Sequence, residues 1–238
     1  FCKEGYTLLH LDHIPAIDED QKNVDFLPLL KRALEAGYQS VMIDGSRLPL
    51  AQNIAVTQQA AELAAKYGSA VEAELGAVAG HEGAGIGLSY EELFTSKKGF
   101  TKTEEAAQFA RESGCDWLSV AAGSFHGAIA AATKHLKKPE ARLDIAHIAE
   151  LSAATGHMPL VLHGGSGIKQ EYILRAMENG IAKINVATEI RQPYEFALEE
   201  KPGNITYAQQ KVYDRTRWVL HDFLHTTNNH DTLKGDSK

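Results

Sequence analysis

Three histidines in this sequence stand where an apolar run ends: His13 in HLDH, His126 in SFHG and His163 in LVLHGGSGI, the last two followed at once by glycine. Short apolar runs bounded by turn formers read as buried strands, which puts each imidazole at a strand's carboxyl end. Three imidazoles converging from separate loops, with a coordination position left open, are the composition of a catalytic zinc site. Any one of them alone reads equally well as a hydrogen-bonded core histidine. Asp12 adjoins His13, and because side chains alternate across a strand, the two face one site only if His13 has left the ladder. His10, one alternation earlier, reads as a core histidine or a partner behind a ligand. His81 is ambiguous, and His135, His147, His157, His221, His225 and His230 fall in helices, caps or the tail and read as surface residues.

Acids also mark strand ends. Asp44 in MIDGS and Glu74 in EAELG sit where water is scarce and an unpaired charge is costly. A second divalent or monovalent cation, a ligand histidine, a substrate hydroxyl or a structural salt bridge would each satisfy them. Glu72 shares a strand face with Glu74 and can bridge to Lys183. The turn Gly164-Gly165-Ser166 and the segment Asn185, Ala187 and Thr188 offer backbone N–H groups and small polar side chains, to which Gly127 after His126 adds another glycine. With helices starting beyond them, such turns can cradle a phosphate; simple turn chemistry is the alternative.

The elements that must hold these residues alternate. Strand-like runs at 6–13, 40–46, 70–78, 117–124, 159–166 and 182–190 are separated by helix-period segments at 26–36, 51–66, 103–113, 144–155 and 170–179. Glycine stands just before most strands, as helix termination requires. Six such units argue for parallel βαβ connections in an α/β protein. No GxGxxG follows the first strand, and polar residues gather at the carboxyl ends of all six, which favours a (β/α)8 TIM barrel over a doubly wound sheet. A barrel has eight strands, so about two N-terminal βα units are expected before Phe1. Residues 1–191 are expected to form the barrel domain and 192–238 a helical extension and tail of the same domain. The glycine-rich stretch 79–100 is too long for a passive connection and reads as a mobile active-site loop carrying Glu82.

Charge and composition exclude other classes. The 238 residues carry 24 Lys plus Arg against 31 Asp plus Glu, a net charge of −7, with no basic run. Nucleic acid is therefore not expected as a partner. No apolar stretch reaches the ~18 residues of a spanning helix, so no membrane contact is expected and a cytoplasmic location is. Cys2 and Cys115, without CxxC spacing, read as reduced thiols with a packing role.

In order and spacing, HLDH, SVMIDGS, VEAELG, SFHG, VLHGGSGI and INVATEI together resemble the class II, zinc-dependent ketose-bisphosphate aldolases, over about residues 6–191. The resemblance implies that His13, His126 and His163 bind one catalytic zinc ion. It further implies that Asp12 donates a proton at the cleaved bond, that Glu82 handles the other proton, and that HGGSG and NVAT hold the dihydroxyacetone-phosphate end of a sugar phosphate. It also implies a homodimer or homotetramer. Cleaving a carbon–carbon bond beside a carbonyl leaves an enediolate, which needs either a metal or a lysine Schiff base. Lys183, in phase with Asn185, is the Schiff-base alternative, and a non-catalytic sugar-phosphate-binding barrel is the alternative from another class. Gly123-Ser124 stands where the family usually has Gly-Asn or Gly-Thr.

Overall fold

The structure, a computed structural model, describes residues 7–76, 90–124 and 142–228. Strands β1 (His10–Pro15), β2 (Ser40–Asp44), β3 (Ala70–Leu75), β4 (Trp117–Val120), β5 (Leu160–Leu162) and β6 (Ile181–Ile184) form one sheet in the order β1-β2-β3-β4-β5-β6. Every neighbouring pair is parallel. Sequential order is what a singly wound barrel requires; a doubly wound sheet reverses direction part-way. Between the strands run helices α1 (Phe26–Glu35), α2 (Leu50–Ala65), α3 (Tyr90–Ser96), α4 (Thr103–Glu112), α5 (Ile145–Ala154) and α6 (Gln170–Glu178). Helix α7 (Thr188–Glu200), interrupted by Lys201-Pro202-Gly203 before α8 (Ile205–Trp218), leads to a π-helical turn at Val219–Phe223.

The sheet is strongly curled. Laid flat, six strands would separate β1 from β6 by about 24 Å. Yet the Asn185 side chain just past β6 donates to Asp12 on β1 at 3.1–3.2 Å. Among the described residues the curled sheet has six strands, and no strand pairing joins β1 to β6.

Alternation along each strand sorts residues between two environments. Val41, Ile43, Val71, Ala73, Leu75, Leu118, Val120, Leu160 and Leu162 face outward into one core with Leu30, Phe109, Ile148, Leu151 and Ile173 of the helices. The other face holds Met42, Val161 and Ser119, together with Glu72, Glu74 and His163, all buried. Polar groups therefore line the inside of the curve. One predicted helix stop shows the packing reason for its glycine. Gly180 has φ +115°, and a Cβ there would stand 2.5 Å from Ser152 Oγ. Only glycine accepts both the conformation and the contact.

Several sequence expectations need correction: the strand expected at 6–13 runs over His10–Pro15 and so carries on past His13, and the one expected at 182–190 ends at Ile184, with Thr188–Ile190 already in α7. The glycine-rich stretch is not all loop, because Tyr90–Ser96 is helix α3, with Glu91 and Glu92 in its first turn and Leu93 buried. The YEELF segment carries its own helical pattern, which the glycines upstream obscured. His147 is not a surface residue: α5 turns it inward, and its Nε2 lies 2.8 Å from the Thr101 carbonyl oxygen. Cys115 is buried, and burial pushes its thiol pKa up to about 11.

Candidate active site

Local backbone geometry explains how adjacent residues reach one site. The β1–β2 register shifts between Leu11 and Ile14, and His13 has φ +49°. This bulge lifts His13 off the ladder, so Asp12 and His13 turn to the same mouth, with His13 Nε2 3.8 Å from Asp12 Oδ2. From the other side of the curve His163, fully buried just past β5, meets His13 edge-on with ring centroids 4.5 Å apart. Asp12, His13 and His163 each offer a ligand atom, all within 4.8 Å of one another. His13, Asp44 and Glu74 form a second such set, so both strand-end acids gather around His13. Imidazole and carboxylate donors at this spacing are a donor set that fits a divalent transition-metal ion.

A buried network stands behind the donors. His163 Nε2 lies 2.8 Å from Glu72 Oε1, and its Nδ1 lies 3.4 Å from Glu74 Oε2. Lys183 Nζ donates to Glu72 Oε2 at 2.8 Å and to Asn185 Oδ1 at 2.7 Å. His10 Nδ1 pairs with Ser40 Oγ at 2.8 Å, and its Nε2 lies 3.4 Å from Asp12 and 3.5 Å from Glu72. His10 thus lies against both Asp12 and Glu72. Burial by itself would raise the pKa of Glu72, but the His163 hydrogen bond and the Lys183 charge outweigh it and hold the carboxyl below its ordinary value. Asp12 is likewise held well below the usual carboxylate range. Burial opposes this, and the His10 hydrogen bond with the charges of His13, His163 and Lys183 prevails.

The glycine turns lie beside the donors. Gly165 N–H donates to the Asn185 carbonyl at 3.2 Å, and Asn185 N–H to Leu162 at 2.9 Å, stitching the β5 and β6 turns together. A Cβ on Gly165 would fall 2.6 Å from Ile184 Cγ2, so the close approach demands glycine. Gly164 directly follows His163, Ser166 Oγ accepts from Glu189 N–H at 3.3 Å, and Ala187 and Thr188 open α7. A cavity of about 600 Å³ is lined by Gly165, Ser166, Lys169, Val186 and Trp218. Helices α6 and α7 start just beyond the two turns, which favours an anion there.

His126, Gly127, Glu82 and His81 lie outside the described residues. Sequence reasoning passed over Thr101 and Tyr90. The Thr101 hydroxyl donates to the Leu75 carbonyl at the end of β3 and accepts from Ala121 N–H past β4. The Tyr90 hydroxyl lies 3.0 Å from the carbonyls of both Gly123 and Arg142 and accepts from Arg142 N–H at 2.6 Å. No periodicity marks either residue, because each ties together backbone groups remote in sequence.

The family model of class II fructose-bisphosphate aldolase matches residues 4–229. The chain belongs to this family. Among solved structures, the YdjI aldolase from Escherichia coli K12 is 28% identical with a TM-score of 0.65, over 96% of this chain and 69% of that one. A provisionally named fructose-1,6-biphosphate aldolase from Coccidioides immitis is 25% identical with a TM-score of 0.72, over 94% and 73%. The fructose-bisphosphate aldolase of Campylobacter jejuni, 18% identical with a TM-score of 0.66 over 91% and 70%, shares the fold. This aldolase is thus a carbon–carbon lyase built on the α/β barrel plan, and among the described residues no helix is long and apolar enough to cross a membrane.

Proposed function

We propose that this aldolase reversibly cleaves a ketose 1,6-bisphosphate of the fructose or tagatose type to dihydroxyacetone phosphate and an aldehyde, with zinc as its metal. The observation that carries the reading is the meeting of Asp12, His13 and His163 donor atoms within 4.8 Å at the mouth of the curl, next to the Gly164–Ser166 turn. His13 and His163, with His126 as third ligand, would hold the ion, and Asp44 and Glu74, gathered around His13, would lie near it. Zinc bound there supplies Lewis acidity that draws electron density from the substrate carbonyl. Gly164, Gly165, Ser166, Asn185, Ala187 and Thr188, together with Gly127, receive the phosphate of the dihydroxyacetone half. Asp12, held by Asn185 at the rim, takes the hydroxyl proton in cleavage and returns it in condensation. Glu82 carries the proton on the other carbon.

A Schiff base at Lys183 needs a neutral amine free to attack a carbonyl. Its nitrogen is instead engaged by Glu72 and Asn185. The test is cleavage of fructose and tagatose 1,6-bisphosphates before and after chelation, with zinc added back. Activity that falls on chelation and returns with zinc supports the reading. Undiminished turnover of chelated protein, or substrate trapped on the chain by borohydride, overturns it.

A further inference from the structure

One ammonium group touches both halves of the candidate machinery. Lys183 Nζ sits between Glu72 Oε2 and Asn185 Oδ1, at 2.8 and 2.7 Å, and 3.9 Å from Asp12 Oδ1. Each contact fixes something beyond itself. On one side, the ammonium neutralises a carboxylate whose side chain is wholly buried. The other oxygen of that carboxylate is then left to accept a proton from His163 Nε2 at 2.8 Å. An imidazole that donates from Nε2 keeps its lone pair on Nδ1, the nitrogen turned toward Glu74, whose carboxylate gathers with Asp44 around His13. On the other side, occupying Asn185 Oδ1 settles which way that amide points. Nδ2 then faces Asp12 and donates to both its oxygens. The His10, Asp12 and Glu72 donor atoms also lie within 4.8 Å of one another. That cluster has the makings of a cation site, and the lysine supplies a covalently tethered cation to two of its three members.

We infer that Lys183 is a positioning residue that sets the tautomer of His163 through Glu72 and the amide orientation of Asn185 on Asp12. It readies a metal-binding nitrogen and a proton-carrying carboxylate at once. The inference rests on the proposed zinc site for its effect on metal affinity, but the tautomer is a property of the metal-free chain. Partners that orient a ligand histidine typically change metal affinity or activity by about 10- to 100-fold when removed.

The test uses the 238-residue chain with Lys183→Met, Lys183→Arg, Glu72→Gln and the Glu72→Gln/Lys183→Met pair. In metal-free protein, 15N NMR of the ring nitrogens should show wild-type His163 protonated on Nε2 and the Lys183→Met protein shifted to a mixture. Competition with a chromophoric chelator should show zinc held about 10- to 100-fold more weakly by Lys183→Met and partly recovered by Lys183→Arg. In the Glu72→Gln background, adding Lys183→Met should change zinc affinity by less than about twofold, because the path to His163 is already cut. Steady-state kinetics should show kcat falling more than KM rises. Should Lys183→Met fail to fold, Lys183→Arg, which keeps the charge beside Glu72 but not the ammonium's geometry, makes the same measurement against wild type, with a smaller loss of zinc affinity expected. A wild-type tautomer in Lys183→Met, or an equal loss of zinc affinity with and without Glu72, overturns the inference. Wild-type protein that shows the Nε2 tautomer yet binds no zinc would refute the proposed metal and leave the inference standing.

Discussion

Removing the Tyr90 hydroxyl tests whether a single oxygen closes the neck of the 125–141 segment. Gly123 and Arg142 bracket that segment, in which His126 lies, and the hydroxyl accepts from Arg142 N–H at 2.6 Å while donating to one of two carbonyls 3.0 Å away. Tyr90→Phe deletes both bonds and keeps the ring, which stays beside Phe94 with centroids 5.9 Å apart. Arg142 still stacks over Phe94 at 4.6 Å and pairs with Glu91 at 2.6 Å, so the neck keeps its other contacts. Leaving a partly buried N–H and a carbonyl without this partner costs about 1–3 kcal/mol, and the half-exposed setting points to ~2 kcal/mol. For a chain of this size each kcal/mol moves Tm by roughly 2–4 °C, so the variant should melt ~4–8 °C below wild type. The assay is reversible thermal unfolding followed by circular dichroism, checked against urea midpoints. A Tyr90→Phe protein melting within about 1 °C of wild type would show that packing and the Arg142–Glu91 pair hold the neck unaided, and the argument from the hydroxyl would fail.

Gly165→Ala places a methyl 2.6 Å from Ile184 Cγ2 and 3.2 Å from the Asn185 carbonyl oxygen, so it should lose about 1–3 kcal/mol of stability in urea unfolding. An unchanged midpoint would mean that the two turns shift apart freely. Asp144 caps α5 by accepting from His147 N–H at 3.0 Å and pairs with Lys97 at 2.8 Å. Burial opposes its ionisation, but the Lys97 hydrogen bond and the His147 N–H prevail and lower its pKa. A depressed carboxylate pKa stabilises the fold above the unfolded value of about 4 and loses that contribution as pH falls through the folded value. Asp144→Asn keeps a cap and removes the charge, so its urea midpoint should lie below wild type at neutral pH, with the gap closing below about pH 4. A gap that widens on acidification would reverse the sign of the argument.

Legibility from sequence followed the range of the physics involved. Alternation along a strand is local, and it correctly paired Lys183 with Glu72 and turned His10 to the inner face beside Glu72. The adjacency of Asp12 and His13 set a condition, that His13 leave the ladder, which the bulge at this point of β1 meets, because no regular strand turns neighbours to one side. His147 was misread because a position within α5 says nothing about which turn faces Thr101 until the helix is docked. Helix α3 was missed because the glycines before it dominated the reading of the whole stretch. Tyr90 and Thr101 were invisible for a different reason: their partners are carbonyls and amides, which every residue has.

The inner face of the sheet argues that its charges serve chemistry rather than cohesion. Met42, Val161 and Ser119 show that this face accommodates apolar and small residues when buried. Yet Glu72 and His163 side chains sit there fully buried, tied to Lys183. Replacing a buried ion pair with well-packed apolar residues is often neutral or stabilising, whereas deleting one partner alone typically costs 3–5 kcal/mol. A fold needing only stability would fill the centre of the curl as it fills the outer core, with Leu, Ile and Val. What apolar packing cannot do is present imidazole and carboxylate oxygens to one point while keeping each in a single orientation. That requires partners with charge and direction, and the Glu72–Lys183–Asn185 cluster provides them at the place where strands from opposite edges of the sheet meet.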